Sequence, residues 1–433
     1  SDKENAPISR VNTRLHPKEQ RMNLSIIAPF CWRHWLVHAM RVSNYKLQTI
    51  YSRNTLFTKQ RDPMNRKIFQ IASAYMSVIV GGGFASGQEV LQFFTNFGWM
   101  GVAGTVISGV LFAFLGMQIA RIGTQLKVDS HKEVLQAIFG KQLSLLVDLA
   151  LIFFLFGVGV AMLAGSGSLF QEHLGLPSVV GAVAMTVVIA ATLCLNLHRI
   201  VDLISAVTPF LIVMVVIVVS YALFNNSGAD TAALEAVAVQ GEKAAGHWAL
   251  SGLLYASFNI AVGFPLLAVL AGSDTNLRNT TWGGIYGGLG LGALIFLLNI
   301  GLFFNIDQIQ NAQMPTVLLA KGVGSWIGVL MMVSVFCMIY STGVGMFFAF
   351  TARFAMPNTK KFRLIGLASC LVGLLLSFAG FTKLVGTVYP LLGYLGLALI
   401  AAVLVYWLRN RGKSSKPRPP IAAGCRAGAS VQT

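Results

Sequence analysis

Residues Val80–Glu89 read VGGGFASGQE and interrupt an apolar run that extends from Ile68 to Trp99. Each glycine costs about 1 kcal/mol relative to alanine in a helix interior, so three in succession predict a helix break at Gly81–Gly83. A glutamate within the hydrocarbon layer of a membrane is costly as well, and acids in that position usually serve a function. The stretch therefore predicts a membrane helix that is broken for a functional reason.

The composition of the chain indicates a membrane protein. Of its 433 residues, 55% are hydrophobic and only 11% are charged, and the mean hydropathy is +0.69. Soluble domains carry about 25% charged residues. Apolar runs of about 20 residues recur, each long enough to cross a ~30 Å hydrocarbon core as a helix. We expect an all-α polytopic membrane protein with ten transmembrane helices, at 68–97, 99–121, 142–170, 178–197, 201–224, 247–272, 283–305, 322–354, 361–380 and 384–408.

The basic residues predict the orientation of these spans. If both termini are cytoplasmic, 29 of the 32 Lys and Arg residues lie on the inner side, and only Lys243, Lys321 and Lys383 do not. Such an asymmetry is the positive-inside signature, and it predicts a multi-pass protein of the cell (inner) membrane. The net charge of +17 is then explained by orientation and by anionic lipid headgroups, so the bilayer is an expected partner and nucleic acid is not.

The ten spans divide into two halves that each begin with an interrupted span. The first repeat covers 64–224, an outer loop covers 225–246, and the second repeat covers 247–408. Span 6 contains YASFNIAVGFPLL, in which Asn259, Gly263 and Pro265 predict a second break. Because five spans is an odd number, the second repeat enters the membrane from the opposite side. Paired interruptions in a 5+5 inverted repeat favour a transporter whose binding site lies near the bilayer midplane.

The ends of the chain and its reactive residues suggest no further activity. Residues 1–63 are expected to be a basic appendage, disordered or foreign to the working transporter, and 409–433 a disordered basic tail. The five cysteines are odd in number and scattered, and no histidine lies in the middle of a span. Nucleotide-binding, hydrolase and metalloprotease motifs are absent from the sequence. We therefore expect neither an enzyme nor a bound cofactor.

These motifs resemble a known group of proteins. GGGFASGQE followed by FF, with SFN in span 6 and YSTGVG in span 8, is similar to the YkvI-type bacterial membrane proteins. The paired broken helices resemble the LeuT fold of the amino acid–polyamine–organocation superfamily. The resemblance covers about 66–408 and implies secondary transport of a small solute.

A broken first span provides two kinds of ligand. The N-terminus of its outer half-helix suits an anionic group such as a carboxylate, and the carbonyl groups that end its inner half suit a cation. The resemblance places the carbonyls of Ser77 and Val80 and the hydroxyls of Ser341 and Thr342 around a sodium ion. It also favours sodium over a proton, because span 5 lacks the lysine that replaces the ion in some proton-coupled relatives. The expected substrate-binding residues are Gly81, Gly82, Gly83, Phe84, Ser86, Phe258, Asn259 and Gly263.

Two acids are candidates for gating or proton handling. Glu89 follows the break, and Asp148 lies near the inner end of span 3, where it could pair with a cytoplasmic arginine. Structural alternatives remain open for the other residues. Membrane glycines often serve close helix packing, and Gly83–Gly87 fits the G-x-x-x-G pattern. The Ser341 and Thr342 hydroxyls could bond to carbonyls of their own helix.

The sequence as a whole predicts a secondary active transporter of a small zwitterion, an amino acid being the expected case, coupled to Na⁺ or else to H⁺. A sensor or scaffold that retains the transporter fold is the alternative. A channel ranks below both, because the sequence shows no ring of pore charges. The segment NIDQIQNAQMPTVLLAKG after span 7 is expected to form a lid over the outer vestibule.

Overall fold

The computed structural model describes residues 63–127, 131–195, 208–225, 230–357 and 359–410, and its regular secondary structure in these ranges is helical. The predicted appendage and tail therefore lie almost entirely outside the described residues. One 3₁₀ turn covers Thr95–Phe97. The α-helices are α1 Pro63–Ile79, α2 Gly82–Ser86, α3 Gln88–Phe93, α4 Trp99–Leu126, α5 His131–Leu174, α6 Ser178–Leu193, α7 Thr208–Asn225, α8 Thr231–Ala238, α9 Trp248–Gly272, α10 Leu277–Phe303, α11 Ile306–Ile309, α12 Pro315–Val323, α13 Ser325–Thr351, α14 Lys360–Ser377 and α15 Phe381–Asn410.

Each predicted span overlaps one of these helices or a group of them. Six described helices are long and apolar enough to cross a membrane: α4, the part of α5 from Val147, α9, α10, α13 and α15. Two shorter apolar helices, Ser178–Leu193 and Phe210–Asn225, match spans 4 and 5. Span 1 corresponds to α1–α3 and span 9 to α14. The protein is an all-α polytopic membrane protein, and the count of ten crossings stays a prediction.

The first span is broken twice. The α1 helix ends at Ile79, Gly81 is extended (φ −111°, ψ −170°), and α2 begins at Gly82. A second interruption follows at Gly87, whose φ of 81° lies in the left-handed region that residues other than glycine rarely adopt. The predicted break is thus present at the glycine triplet, and the sequence analysis missed the one at Gly87.

The expected break in span 6 requires correction. The α9 helix runs continuously from Trp248 to Gly272 with Pro265 inside it. Proline removes its own N–H from the hydrogen-bond ladder and its ring crowds the carbonyl four residues earlier, but membrane helices tolerate both effects when neighbouring groups compensate. Span 6 therefore carries a proline within a continuous helix, whereas span 1 is unwound.

The helices pack as two groups with a shared boundary. One group contains α1, α4, α9 and α10, and the other contains α5, α6, α13 and α14. The first group consists of spans 1, 2, 6 and 7, and the second of spans 3, 4, 8 and 9. Each group therefore contains two spans of the first repeat and the two corresponding spans of the second repeat. The short helix α2 lies against α13, which brings the broken span into contact with the second group. The candidate site forms at this boundary.

Candidate functional site

The glycine break of span 1 is joined to span 8 by a hydrogen bond. The backbone N–H of Gly82 donates to the Thr342 hydroxyl over 3.0 Å. A Cβ placed on Gly82 would lie 2.6 Å from Met162 Sδ and 2.8 Å from Ile339 Cα, so only glycine permits this approach of α2 to α13. The triplet thus packs closely against α13 and also presents its backbone to a hydroxyl from that helix.

A small cavity lies beside this contact. Its volume is about 30 Å³, enough for a water molecule or a dehydrated ion but too small for an amino acid. It is lined by the three glycines of the break, by Phe258 and Asn259, and by Thr342, all of which the sequence suggested as candidates for substrate or ion contact. The full lining is Val78, Ile79, Gly81, Gly82, Gly83, Glu89, Phe154, Val158, Met162, Phe258, Asn259, Val262, Thr342, Met346 and Tyr389.

Glu89 is buried and turns back onto the break. A Cβ placed on Gly83 would lie 1.7 Å from Glu89 Oε1, so the carboxyl group fills the space that a side chain at position 83 would need. The Tyr255 hydroxyl of α9 shares a side-chain hydrogen bond with this carboxyl group. Glu89 therefore belongs to the central cavity and does not face the outer surface.

An aromatic cluster surrounds Tyr255, the hydrogen-bond partner of Glu89. The Tyr255 ring packs edge-on against Phe93 with ring centroids 5.4 Å apart, and against Phe94 at 4.9 Å. Phe258 contacts Tyr255 at 5.2 Å and Tyr389 at 5.2 Å. The cluster is formed by α3, α9 and α15, so any opening of the cavity on this side must separate these helices.

The other predicted substrate-binding residues do not line the cavity. Phe84 is buried in the hydrophobic core. The Ser86 hydroxyl donates to the Gly83 carbonyl (2.7 Å) and accepts from the Gln88 N–H (3.2 Å), which stabilises the turn at Gly87. Gly263 lies against Ile79, so it permits close packing of α9 on α1. These contacts are structural in kind.

Only some of the predicted ion ligands lie close to the cavity. Val80 is buried at the end of α1, whereas Ser77 is exposed one turn earlier. Thr342 faces the cavity, but the Ser341 hydroxyl donates to the Met338 carbonyl of its own helix over 3.1 Å. A hydroxyl that donates in this way keeps its lone pairs, so Ser341 could still accept or ligate.

An ion pair joins the start of span 3 to the end of span 8, on the side that the sequence predicts to be cytoplasmic. Asp148 of α5 contacts Arg353, directly after α13, and the two side chains are only 17% and 13% exposed. On the same side, Lys67 of α1 pairs with Asp274 at 3.8 Å, beyond the end of α9. Asp148 thus has the arginine partner considered for it from the sequence; a gating role for the pair stays a prediction.

The segment after span 7 packs against the part of span 1 that follows the break, on the side that the sequence predicts to be outer. It forms α11 and α12, and the Thr316 hydroxyl donates to the Ala85 carbonyl of α2 over 2.5 Å. Glu172, at the end of α5, accepts hydrogen bonds from the backbone N–H groups of Gln313 (3.0 Å) and Met314 (2.9 Å). We call residues Ile306–Val323 the lid segment. It contacts both the end of span 3 and the part of span 1 that follows the glycine break.

Sequence reasoning missed three side chains of this region: Tyr255, Tyr389 and Arg353. Tyr255 and Asn259 stand four residues apart in span 6, and that spacing places both on one face of a helix. It was the available signal for Tyr255, since a polar pair within a membrane helix is unusual. Nothing local in the sequence signals that Tyr389 reaches the same cavity.

Comparison with known proteins agrees with this architecture. No family model matches the chain. The chain is 26% identical over 344 residues to the uncharacterised membrane protein YkvI of Bacillus subtilis strain 168, covering 77% of this chain and 94% of YkvI. It is 25% identical over 339 residues to YyaD of the same organism, covering 77% of this chain and 95% of YyaD. The chain is a homologue of YkvI and YyaD.

Solved structures show the same fold at low sequence identity. The inward-facing conformation of Mhp1 superposes with a TM-score of 0.54 at 17% identity, covering 79% of this chain and 77% of Mhp1. A mutant of the Eremococcus coleocola manganese transporter superposes with a TM-score of 0.54 at 13% identity, covering 80% of each chain. This homologue of YkvI therefore has the LeuT fold. The proteins of similar fold are transporters, which agrees with the expectation that the chain is not an enzyme.

Proposed function

We propose that this homologue of YkvI is a secondary active transporter that moves a small zwitterionic solute by alternating access, coupled to sodium. The observation that carries the proposal is the contact between Gly82 and Thr342, because it places a hydroxyl and unwound backbone together at the boundary of the two helix groups. Discontinuous membrane helices at such a boundary are the usual location of solute and ion sites in transporters. The LeuT fold and its transporter members support the same class of function.

Sodium is the proposed coupling ion because the groups at the break carry hard oxygen atoms. The Thr342 hydroxyl and the carbonyl end of α1 near Val80 are ligands of the kind that alkali and alkaline-earth cations prefer. Ser341, which precedes Thr342 in α13, would complete the set through a lone pair of its hydroxyl oxygen. The proposed ion lies between α1 and α13 and would stabilise their contact.

The solute is proposed to bind beside Asn259 and Phe258 on α9. The cavity of about 30 Å³ must widen before an amino acid fits, so solute binding would separate α9 or α15 from the break. The aromatic cluster, whose Phe258 and Tyr389 line the cavity, and the lid segment would move in that step. An amino acid is the proposed case, since the break offers backbone groups for both of its charges.

Uptake by proteoliposomes tests the proposal. The purified full chain is reconstituted and supplied with a mixture of labelled amino acids, with an inward sodium gradient or with choline as the matched control. We expect label to accumulate above its external concentration only with the gradient, and to leave when the gradient is collapsed by an ionophore. Equal distribution of label, with or without sodium, would favour the sensor or scaffold alternative.

A further inference from the structure

We propose that Glu89 binds a proton and a sodium ion alternately, so that the arrival of Na⁺ in the central cavity expels a proton. The inference rests on the proposed sodium-coupled function and deepens it, since it assigns a charged ligand and a second ion to the same site. It comes from three observations: the position of the carboxyl group, the absence of a basic side chain among the described residues of the cavity lining, and the cavity volume.

The position of Glu89 is the first observation. Its carboxyl group lies against Gly83, and both Glu89 and Thr342 line the cavity of about 30 Å³. The place at the break where the sequence predicted the carboxylate of a bound solute is thus occupied by a carboxyl group of the protein itself. An ionised Glu89 would repel the carboxylate of a solute there unless a proton or a cation neutralised it, because two ionised carboxylates in contact repel strongly.

The charges around Glu89 are the second observation. Among the described residues that line the cavity, Glu89 is the only one with an ionic side chain. The titratable groups that face it are the hydroxyls of Tyr255 from α9 and Tyr389 from α15; the lining residues of α1, α5 and α13 contribute hydroxyl and apolar groups. A buried carboxylate without a counter-charge costs several kcal/mol, so Glu89 needs a cation that comes from outside the protein.

The volume of the cavity is the third observation. About 30 Å³ accommodates a single dehydrated ion, which could reach the Glu89 carboxylate and the Thr342 hydroxyl at once. Asn259 adds an amide oxygen, since its Nδ2 already donates to the Tyr255 carbonyl over 3.0 Å. Carboxylate, hydroxyl and amide oxygens are hard ligands, and a carboxylate is the only one of them that balances the charge of the ion.

The exchange conserves charge at the site. A protonated Glu89 and an incoming Na⁺ give a carboxylate–Na⁺ pair and a free proton, so the buried site stays neutral before and after. When the site opens to the inner side, Na⁺ leaves and a cytoplasmic proton takes its place. Each cycle would then move one sodium ion and the solute inward and one proton outward.

Proton release by the purified protein tests the proposal without knowledge of the solute. Sodium chloride is added to the full chain in weakly buffered detergent solution that contains a pH indicator, with choline chloride as the control salt. We expect sodium chloride, but not choline chloride, to release protons in a stoichiometric ratio to the protein. Glu89→Gln should abolish this release, whereas Asp307→Asn, which neutralises an exposed acid of the lid segment, should leave it intact.

A conservative variant guards against loss of folding. Glu89→Asp keeps the carboxyl group and should release a proton at a higher sodium concentration, and a thermal melt reports whether each variant is folded. Sodium-driven uptake without any proton release would overturn the exchange but leave the transporter assignment standing. Proton release that persists in folded Glu89→Gln would overturn it as well. Absence of both release and sodium-driven uptake would contradict the exchange and the sodium coupling together.

Discussion

The Thr342 hydroxyl accepts a 3.0 Å hydrogen bond from the backbone N–H of Gly82, across 260 positions of sequence. This bond ties the unwound part of span 1 to the middle of span 8. It joins two helices that belong to different helix groups, so any motion of one group against the other must preserve, stretch or break it.

Replacement of Thr342 by valine removes the hydroxyl at nearly constant volume. We expect the sodium concentration for half-maximal uptake to rise by about tenfold or more, which corresponds to about 1.4 kcal/mol. Thr342→Ser keeps the oxygen and should stay close to the unmodified chain. The solute concentration required at saturating sodium should change far less, because linkage between two ligands fades when one of them saturates.

Ser341 provides a graded comparison for Thr342. Its hydroxyl already donates to Met338 within α13, so Ser341→Ala alone should shift the sodium requirement less than Thr342→Val, and the double variant should exceed both. A larger effect from Ser341→Ala than from Thr342→Val would show that the ion lies elsewhere on α13.

Gly82 tests how closely α2 must approach α13. A methyl group at Gly82 would lie 2.8 Å from Ile339 Cα, and because that atom is backbone it cannot move aside cheaply. We expect Gly82→Ala to lower the unfolding free energy by about 1–3 kcal/mol, as overpacking does, and to reduce uptake. Thermal unfolding in detergent measures the first effect.

Gly345 is the matched control for Gly82. It lies in α13, and a Cβ on it meets nothing within 4 Å. Gly345→Ala should therefore leave unfolding and uptake near the values of the unmodified chain. Equal melting temperatures for the Gly82 and Gly345 variants would show that the close approach at Gly82 contributes nothing to stability.

The Asp148–Arg353 ion pair is expected to close the inner side. Loss of either charge leaves its partner poorly solvated, so Asp148→Asn and Arg353→Gln should each favour an inward-open state. A cysteine at Val158, which lines the central cavity, should then react faster with a thiol reagent applied from the cytoplasmic side. A double-mutant cycle of unfolding free energies should give an interaction free energy of about 0.5–3 kcal/mol between the two side chains.

A charge swap sharpens the test of that pair. Asp148→Arg combined with Arg353→Asp should restore slow labelling if the attraction itself holds the inner side closed. Labelling that stays fast in the swapped variant, or that is unchanged in the single variants, would show that this ion pair does not act as a gate.

Glu172 is expected to hold the lid segment in place. Glu172→Ala deletes the acceptor for the N–H groups of Gln313 and Met314, and hydrogen bonds to a charged group are worth about 1.5–3 kcal/mol. Amide hydrogen exchange in Pro315–Val323 should accelerate, and uptake should change with it. Asp307→Ala removes an exposed acid of the same segment and should leave the exchange unchanged.

The sequence by itself determined the membrane class, the approximate limits of the spans and the break at the glycine triplet. These follow from local properties: span length must match the bilayer, and glycine weakens a helix wherever it stands. Phe258, Asn259 and Thr342, three candidates from the sequence, also line the cavity. Their part in solute or ion binding stays a prediction.

Only the tertiary structure decided which side chains meet at the site. Membrane helices are apolar on nearly every face, so their periodicity does not reveal which face turns inward, and that choice follows from the packing of neighbouring helices. It is packing that sends Thr342 into the cavity while Ser341 bonds to its own helix, and that keeps α9 continuous through Pro265. The return of Glu89 onto Gly83 depends on the left-handed turn at Gly87 and on Tyr255 from a distant span, and neither contact leaves a local trace in the sequence.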